Sequence, residues 1–132
     1  MKLITEELKE RFKEVGDQSN SKNPLIVVKL FDPAGSATWY VTEYDAERRV
    51  AFGFVTGLYM DEWGSFSIDE LQAIERPYGL TIERDIYFEE QRYFDVFKDQ
   101  KRIAELAKIE KDKSQQKEVN KNQEQIDALE QE

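Results

Sequence analysis

The sequence predicts an α+β fold: a small antiparallel sheet of about four strands, an N-terminal helix, a short helix before the last strand and a C-terminal helical extension. Three observations carry this reading. Apolar residues recur at helical spacing near the N-terminus. Runs rich in β-branched and aromatic residues, punctuated by Gly, Pro and Asp, fill residues 24–97, and the last 35 residues turn polar and helix-favouring. Residues 24–97 hold 15 of the 16 aromatic residues, so they must supply the core. At 132 residues the chain suits a single α+β domain over 1–97, with helix and linker at 1–23 and sheet core at 24–97. A polar helical tail, 98–132, follows it.

The elements follow in chain order. Thr5 caps a helix over residues 5–15, with Glu6 and Glu7 set against the positive end of its dipole. Ile4, Leu8, Phe12 and Val15 form its apolar stripe, and Gly16 ends it. Asp17 to Asn23 is polar and turn-rich, a linker. Leu25 to Phe31 is a β-branched run, Asp32 to Ser36 a loop and Thr38 to Tyr44 the second strand of a hairpin. Asp45 to Arg49 is a charged turn, and Val50 to Leu58 is the third strand. In that strand Phe52 and Phe54 share one face, while Ala51, Gly53, Val55 and Gly57 give a small-residue face suited to lie under a helix. Asp61 to Gly64 reads as a loop. Ser67 and Glu70 make a capping box for a short helix whose apolar side is Ile68, Leu71 and Ile74. Pro77-Tyr78-Gly79 breaks it, and Leu80 to Phe88 is the fourth strand. Ile103, Leu106, Ala107 and Ile109 suit a single helix, but only Val119 is aliphatic between Lys111 and Gln125, so its distal part is expected to fray. Val119 and Ile126 make one heptad interval, too few for a coiled coil.

Charge and missing residue types bound the chemistry. The chain has 28 acids, 19 bases and neither His nor Cys, for a net charge of −9. Without imidazole or thiol there is no Ser-His-Asp or Cys-His nucleophile, thiolate zinc site, haem or iron–sulfur ligation, or disulfide. Carboxylate, Lys or Tyr chemistry and oxygen-ligated Mg or Ca remain. Residues 24–97 hold fourteen acids and six bases, so the folded body itself carries the negative field. Such a surface repels phosphates, and no direct nucleic-acid binding is expected. The expected partner is a protein with a basic surface. The N-terminus turns acidic before an apolar run forms and no stretch approaches a membrane span, so a soluble, cytoplasmic chain with no membrane partner and no cofactor is expected. A monomer is favoured, with weak dimerisation through 98–132 as the alternative.

The segments Lys29-Leu30-Phe31-Asp32-Pro33-Ala34-Gly35, Thr38-Trp39-Tyr40-Val41-Thr42-Glu43-Tyr44-Asp45 and Phe52-Gly53-Phe54-Val55-Thr56-Gly57 stand in a telling order. With Gly64-Ser65-Phe66-Ser67, Glu70-Leu71 and Gly79-Leu80-Thr81-Ile82-Glu83-Arg84-Asp85-Ile86-Tyr87-Phe88, this order resembles a family of small bacterial, plasmid and phage proteins catalogued as domain of unknown function 2958. The resemblance implies a compact α+β domain associated with mobile elements in a bacterial host. It brings no catalytic residues.

Two groups of residues are candidates for a site. Glu43 and Asp45 share one strand face, as do Glu83 and Asp85, with Arg84 opposite. If their strands are neighbours, the four carboxylates converge on an Mg or Ca ion; the plainer alternative is that they pair with rim bases such as Arg48 and Arg49. The second group is aromatic: Trp39, Tyr40, Tyr44, Tyr59 and Trp63. Trp39 belongs to the core, whereas Trp63, in the loop with Asp61 and Glu62, is the better anchor for a basic, partly apolar protein surface. Candidate binding residues are therefore Asp61, Glu62, Trp63, Glu43, Tyr44, Asp45, Glu83 and Asp85, with no catalytic and no metal-ligating residue assigned. The expected function is an acidic, non-enzymatic binding module of a mobile element that engages a basic host or element protein, up to DNA mimicry against a defence nuclease. A small Mg- or Ca-dependent enzyme or ligand-binding domain using Glu43, Asp45, Glu83 and Asp85 is one alternative. A structural protein oligomerising through the C-terminal helix is another.

Overall fold

The computed structural model describes residues 1–130. It divides into two compact units, Met1–Tyr93 and the segment from Phe94 onward, so the boundary precedes the change in composition at Lys98. The elements of the first unit are α1 (Glu6–Val15), β1 (Leu25–Ile26), β2 (Val28–Phe31), β3 (Thr38–Asp45), β4 (Val50–Thr56), β5 (Glu62–Ser67) and α2 (Ile68–Ala73). A 3₁₀ turn (Pro77–Gly79), β6 (Glu83–Arg84) and β7 (Gln91–Arg92) follow, and α3 (Tyr93–Val96) straddles the boundary.

α1 forms as its sequence predicts. The Thr5 hydroxyl accepts the Leu8 N–H at 3.2 Å, and Gly16, at φ 71°, ends the helix with its N–H on the Phe12 carbonyl at 2.9 Å. The polar segment after it is not a free linker. The Gln18 side chain donates to the carbonyls of Leu25 (2.8 Å) and Thr42 (2.9 Å) and accepts the Leu25 N–H at 2.6 Å, which stitches the segment to β1 and β3. One amide satisfies three main-chain groups, a tertiary role that local composition does not reveal.

The main sheet is antiparallel, with strand order β5-β4-β3-β2-β6, and β1 pairs separately with β7. It has five strands rather than about four. The added strand is β5, read from its turn-forming residues as a loop; six consecutive cross-strand pairs with β4, including Gly64 opposite Gly53, override that local preference. The expected single strand Leu25–Phe31 divides at Val27, whose N–H turns to the Val41 carbonyl at 2.9 Å. The expected strand Leu80–Phe88 keeps only Glu83–Arg84. Ile82 is buried, but alternation fails at Ile86, which is 63% exposed, because Asp85 turns the chain by accepting the Tyr87 N–H at 3.0 Å.

The small-residue face of β4 does lie under helices. Ala51 shares a buried cluster with Val41 and Trp39 of β3, Phe12 of α1, Leu3 and Ile4 before it, and Ile68 and Leu71 of α2. The Ser67 hydroxyl caps α2 at the Glu70 N–H, 3.1 Å, as expected. Ile74, expected on the apolar side of α2, is its C-cap and is partly exposed. Between Val41 and Glu43 the β3–β4 register shifts, making Thr42 a bulge residue. Its side chain is buried and its hydroxyl donates to the Phe52 carbonyl at 3.3 Å.

In the second unit α4 (Lys98–Glu130) is one helix of 33 residues, about 50 Å long at 1.5 Å per residue. The expected fraying is not seen through Glu130; residues 131 and 132 lie outside the described residues. At about 100° per residue the Ile103, Leu106, Ile109 group and the Val119, Ile126, Leu129 group fall on roughly opposite sides of the helix, so α4 presents no continuous heptad seam.

Candidate functional site

The candidate site is the tip of the β4–β5 hairpin. β4 ends at Thr56, and Gly57 turns the chain at φ 80°, where the Cβ of any other residue would overlap the Ser36 carbonyl oxygen. Two contacts clamp the neck of the turn. The Gly57 N–H donates to Asp61 Oδ1 at 3.1 Å, and the Ser36 hydroxyl, from the β2–β3 loop, donates to the Gly57 carbonyl at 2.7 Å. Between these anchors stand three consecutive large apolar residues that the fold leaves in solvent: Leu58 is 59%, Tyr59 102% and Met60 59% exposed. Other exposed apolar residues of this unit, such as Tyr78, do not form such a run. An exposed apolar run on a tightly held turn is a candidate contact surface.

Acids flank the tip. Asp61 and Glu62 are exposed, and among the described residues the Glu62 carboxylate has no hydrogen bond or ion pair. Beside the tip lies a cavity of about 360 Å³, whose lining includes Leu58 and Met60 of the tip and Trp39, Val55 and Phe66 of the sheet. The arrangement places three exposed apolar side chains beside two exposed carboxylates, with Tyr59, Glu62 and Ser65 also lining the cavity.

The other sequence candidates are distributed differently from the expectation. Trp63 is not in a loop but on β5, on the sheet face away from Glu62 and Gly64. Its ring stacks on Phe52 at 6.0 Å and meets Phe54 at 5.2 Å and Tyr93 at 4.8 Å, leaving it 36% exposed. It covers an aromatic cluster rather than projecting as an anchor. Burial pushes the Tyr93 phenol above the ordinary tyrosine range, opposed by a hydrogen bond from Trp63.

Glu43, Tyr44 and Asp45 lie at the opposite end of the sheet. Glu43 accepts the Gln18 N–H, the Tyr44 ring packs 5.9 Å from Phe12, and Asp45 Oδ1 accepts the N–H groups of Glu47 (3.1 Å) and Arg48 (3.2 Å) in the β3–β4 turn. Glu83 and Asp85 lie at the β6 edge, where Asp85 pairs with Lys29 at 3.6 Å. Arg84, on the opposite face as expected, donates to the carbonyls of Lys2 (2.6 Å) and Leu3 (3.1 Å).

The two carboxylate pairs do not converge. β2 stands between β3 and β6, and Glu83 is level with Phe31 and Thr38, five residues along β3 from Glu43, roughly 17 Å at 3.3 Å per residue. Among the described residues no group of three or more Asp or Glu side chains is placed to hold a metal. Of the rim bases named as alternative partners, Arg49 pairs with Asp69 at 2.8 Å.

The sequence puts Tyr59 among the aromatic candidates, but Leu58 falls at the end of the expected strand Val50 to Leu58 and Met60 just beyond it receives no role. The available signal was an apolar run bracketed by Gly57 and Asp61, in a position where turn residues are usually polar.

Comparison with known proteins adds one finding. A family model described as "Protein of unknown function (DUF2958)" matches residues 3–109. No curated protein and no solved structure matches the chain.

Proposed function

Because the chain belongs to the family described as protein of unknown function DUF2958, which supplies no activity to transfer, we propose a function from its own surface: a binding module that offers the Leu58–Met60 tip and its acids to a basic, partly apolar protein surface. The exposed, clamped tip carries this reading. Burying each large apolar side chain in a partner pocket is worth about 1.5 to 3 kcal/mol. Because the turn is already held, little conformational entropy is lost in docking it. The charge of −9 supports the same reading, since an acidic body attracts basic surfaces and repels nucleic acid. The absence of His and Cys leaves few catalytic designs. In the phage or plasmid setting that the family resemblance implies, the partner is a bacterial host protein or one of the element's own, and a DNA-binding defence protein offers the basic surface required.

The test is capture from bacterial lysate on the immobilised full chain at low and high salt, beside a variant carrying Asp61→Lys and Glu62→Lys. The reading expects a partner held at low salt, released at high salt, and bound about tenfold more weakly by the variant. Equal retention by the parent and the variant contradicts the assignment of the contact to this hairpin.

A further inference from the structure

Resting on the hairpin reading, we infer that the free edge of β5 takes up an extended segment of the partner as an added strand. β5 is an end strand of the main sheet and pairs with β4 at six consecutive positions without a bulge. The other end strand, β6, is only two residues long, a length that blunts an edge. β5 has none of the usual protections: no Lys, no Pro, no bulge, and one charge, Glu62, at its very start. Among the described residues no hydrogen bond reaches its main chain from the side away from β4. Glu62, Trp63 and Ser65 are exposed along it.

The side chains beside this edge give the occupant its chemistry. Glu62, Gly64 and Phe66 share one face of β5 and line the same cavity as Trp39 and Val55. Nothing lies within 4 Å of where a Cβ on Gly64 would stand, so the space above that position is open. A strand laid along β5 sends every second side chain to this face, where an apolar one enters the cavity. Asp61 and Glu62, at the tip end, select Lys or Arg in the same segment. The occupant is therefore an extended peptide stretch of a partner protein that combines β-branched or aromatic residues at alternate positions with a basic residue at one end.

The test selects peptides from a random-peptide library on the immobilised full chain, then follows amide hydrogen exchange of Trp63 to Phe66 with a selected synthetic peptide. Strand addition predicts the alternating basic pattern in the selected peptides. It also predicts exchange slowed on the order of tenfold or more at alternate β5 amides, and loss of binding when alternate peptide amides are N-methylated. Peptides that need Tyr59 but leave β5 exchange unchanged overturn strand addition while sparing the hairpin reading. Selection of no such peptide also overturns strand addition, as does β5 protection that appears in the chain alone and grows with its concentration, which assigns the edge to a second copy.

Discussion

Gly53→Ala is expected to cost about 3 kcal/mol or more of folding free energy, near the severe end of single substitutions. A Cβ there would overlap the Tyr40 carbonyl oxygen and lie 3.0 Å from Val41 Cα, main-chain atoms that cannot swing aside. The crowded atoms, in Tyr40 and Val41, immediately precede the Thr42 bulge. Gly64 provides the control, because it is the cross-strand partner of Gly53 and has nothing within 4 Å of the corresponding Cβ position. Gly64→Ala is therefore expected to change stability by less than about 1 kcal/mol in either direction. Urea denaturation of the two variants checks this, and equal losses would contradict the close packing of β3 on β4.

Replacing the hairpin tip with Leu58→Ser, Tyr59→Ser and Met60→Ser together is expected to leave stability within about 0.5 kcal/mol of the parent, the usual range for surface changes. The same variant is expected to lose about 30-fold or more in affinity for a captured partner, the effect of removing a hot spot worth about 2 kcal/mol. The two effects separate because the tip side chains project into solvent, while the neck bonds Gly57–Asp61 and Ser36–Gly57 remain. Thermal melting together with titration of the partner checks both. A fall in stability as large as the fall in affinity would show that the tip is a packing element.

Much of the fold is legible in the sequence because local signals agree there with tertiary packing. The Thr5 cap, the stripe through Leu8 and Phe12, the Ser67 cap and the small-residue face of β4 all follow from spacing and residue type. The failures occur where long-range pairing decides. Asp61 and Gly64 look like loop residues, and only pairing with β4 makes Glu62–Ser67 a strand. Asp17 to Asn23 looks like a linker until Gln18 finds three main-chain partners. The site was partly legible. Asp61, Glu62 and Tyr59 are candidates in the sequence and lie at the proposed tip, but strand order, which no local pattern encodes, separates Glu43 and Asp45 from Glu83 and Asp85 and turns Trp63 onto an aromatic cluster. Acid count alone also says little about which carboxylates remain available. The Arg11 guanidinium, at 2.7 Å, holds the Glu90 carboxyl below the usual range, and Arg76 holds Asp32 at 2.9 Å, so both are committed within the fold.

Site-specific photo-crosslinking in bacterial cells tests the central claim most directly. A full-length chain with a photo-crosslinking phenylalanine analogue in place of Tyr59 is compared with one carrying it in place of Glu47, which is exposed in the β3–β4 turn at the opposite end of the hairpin. The account predicts a discrete crosslinked protein from position 59, lost when Asp61→Lys and Glu62→Lys are added, and none from position 47. Crosslinking of equal strength from position 47, or none from position 59, would contradict it.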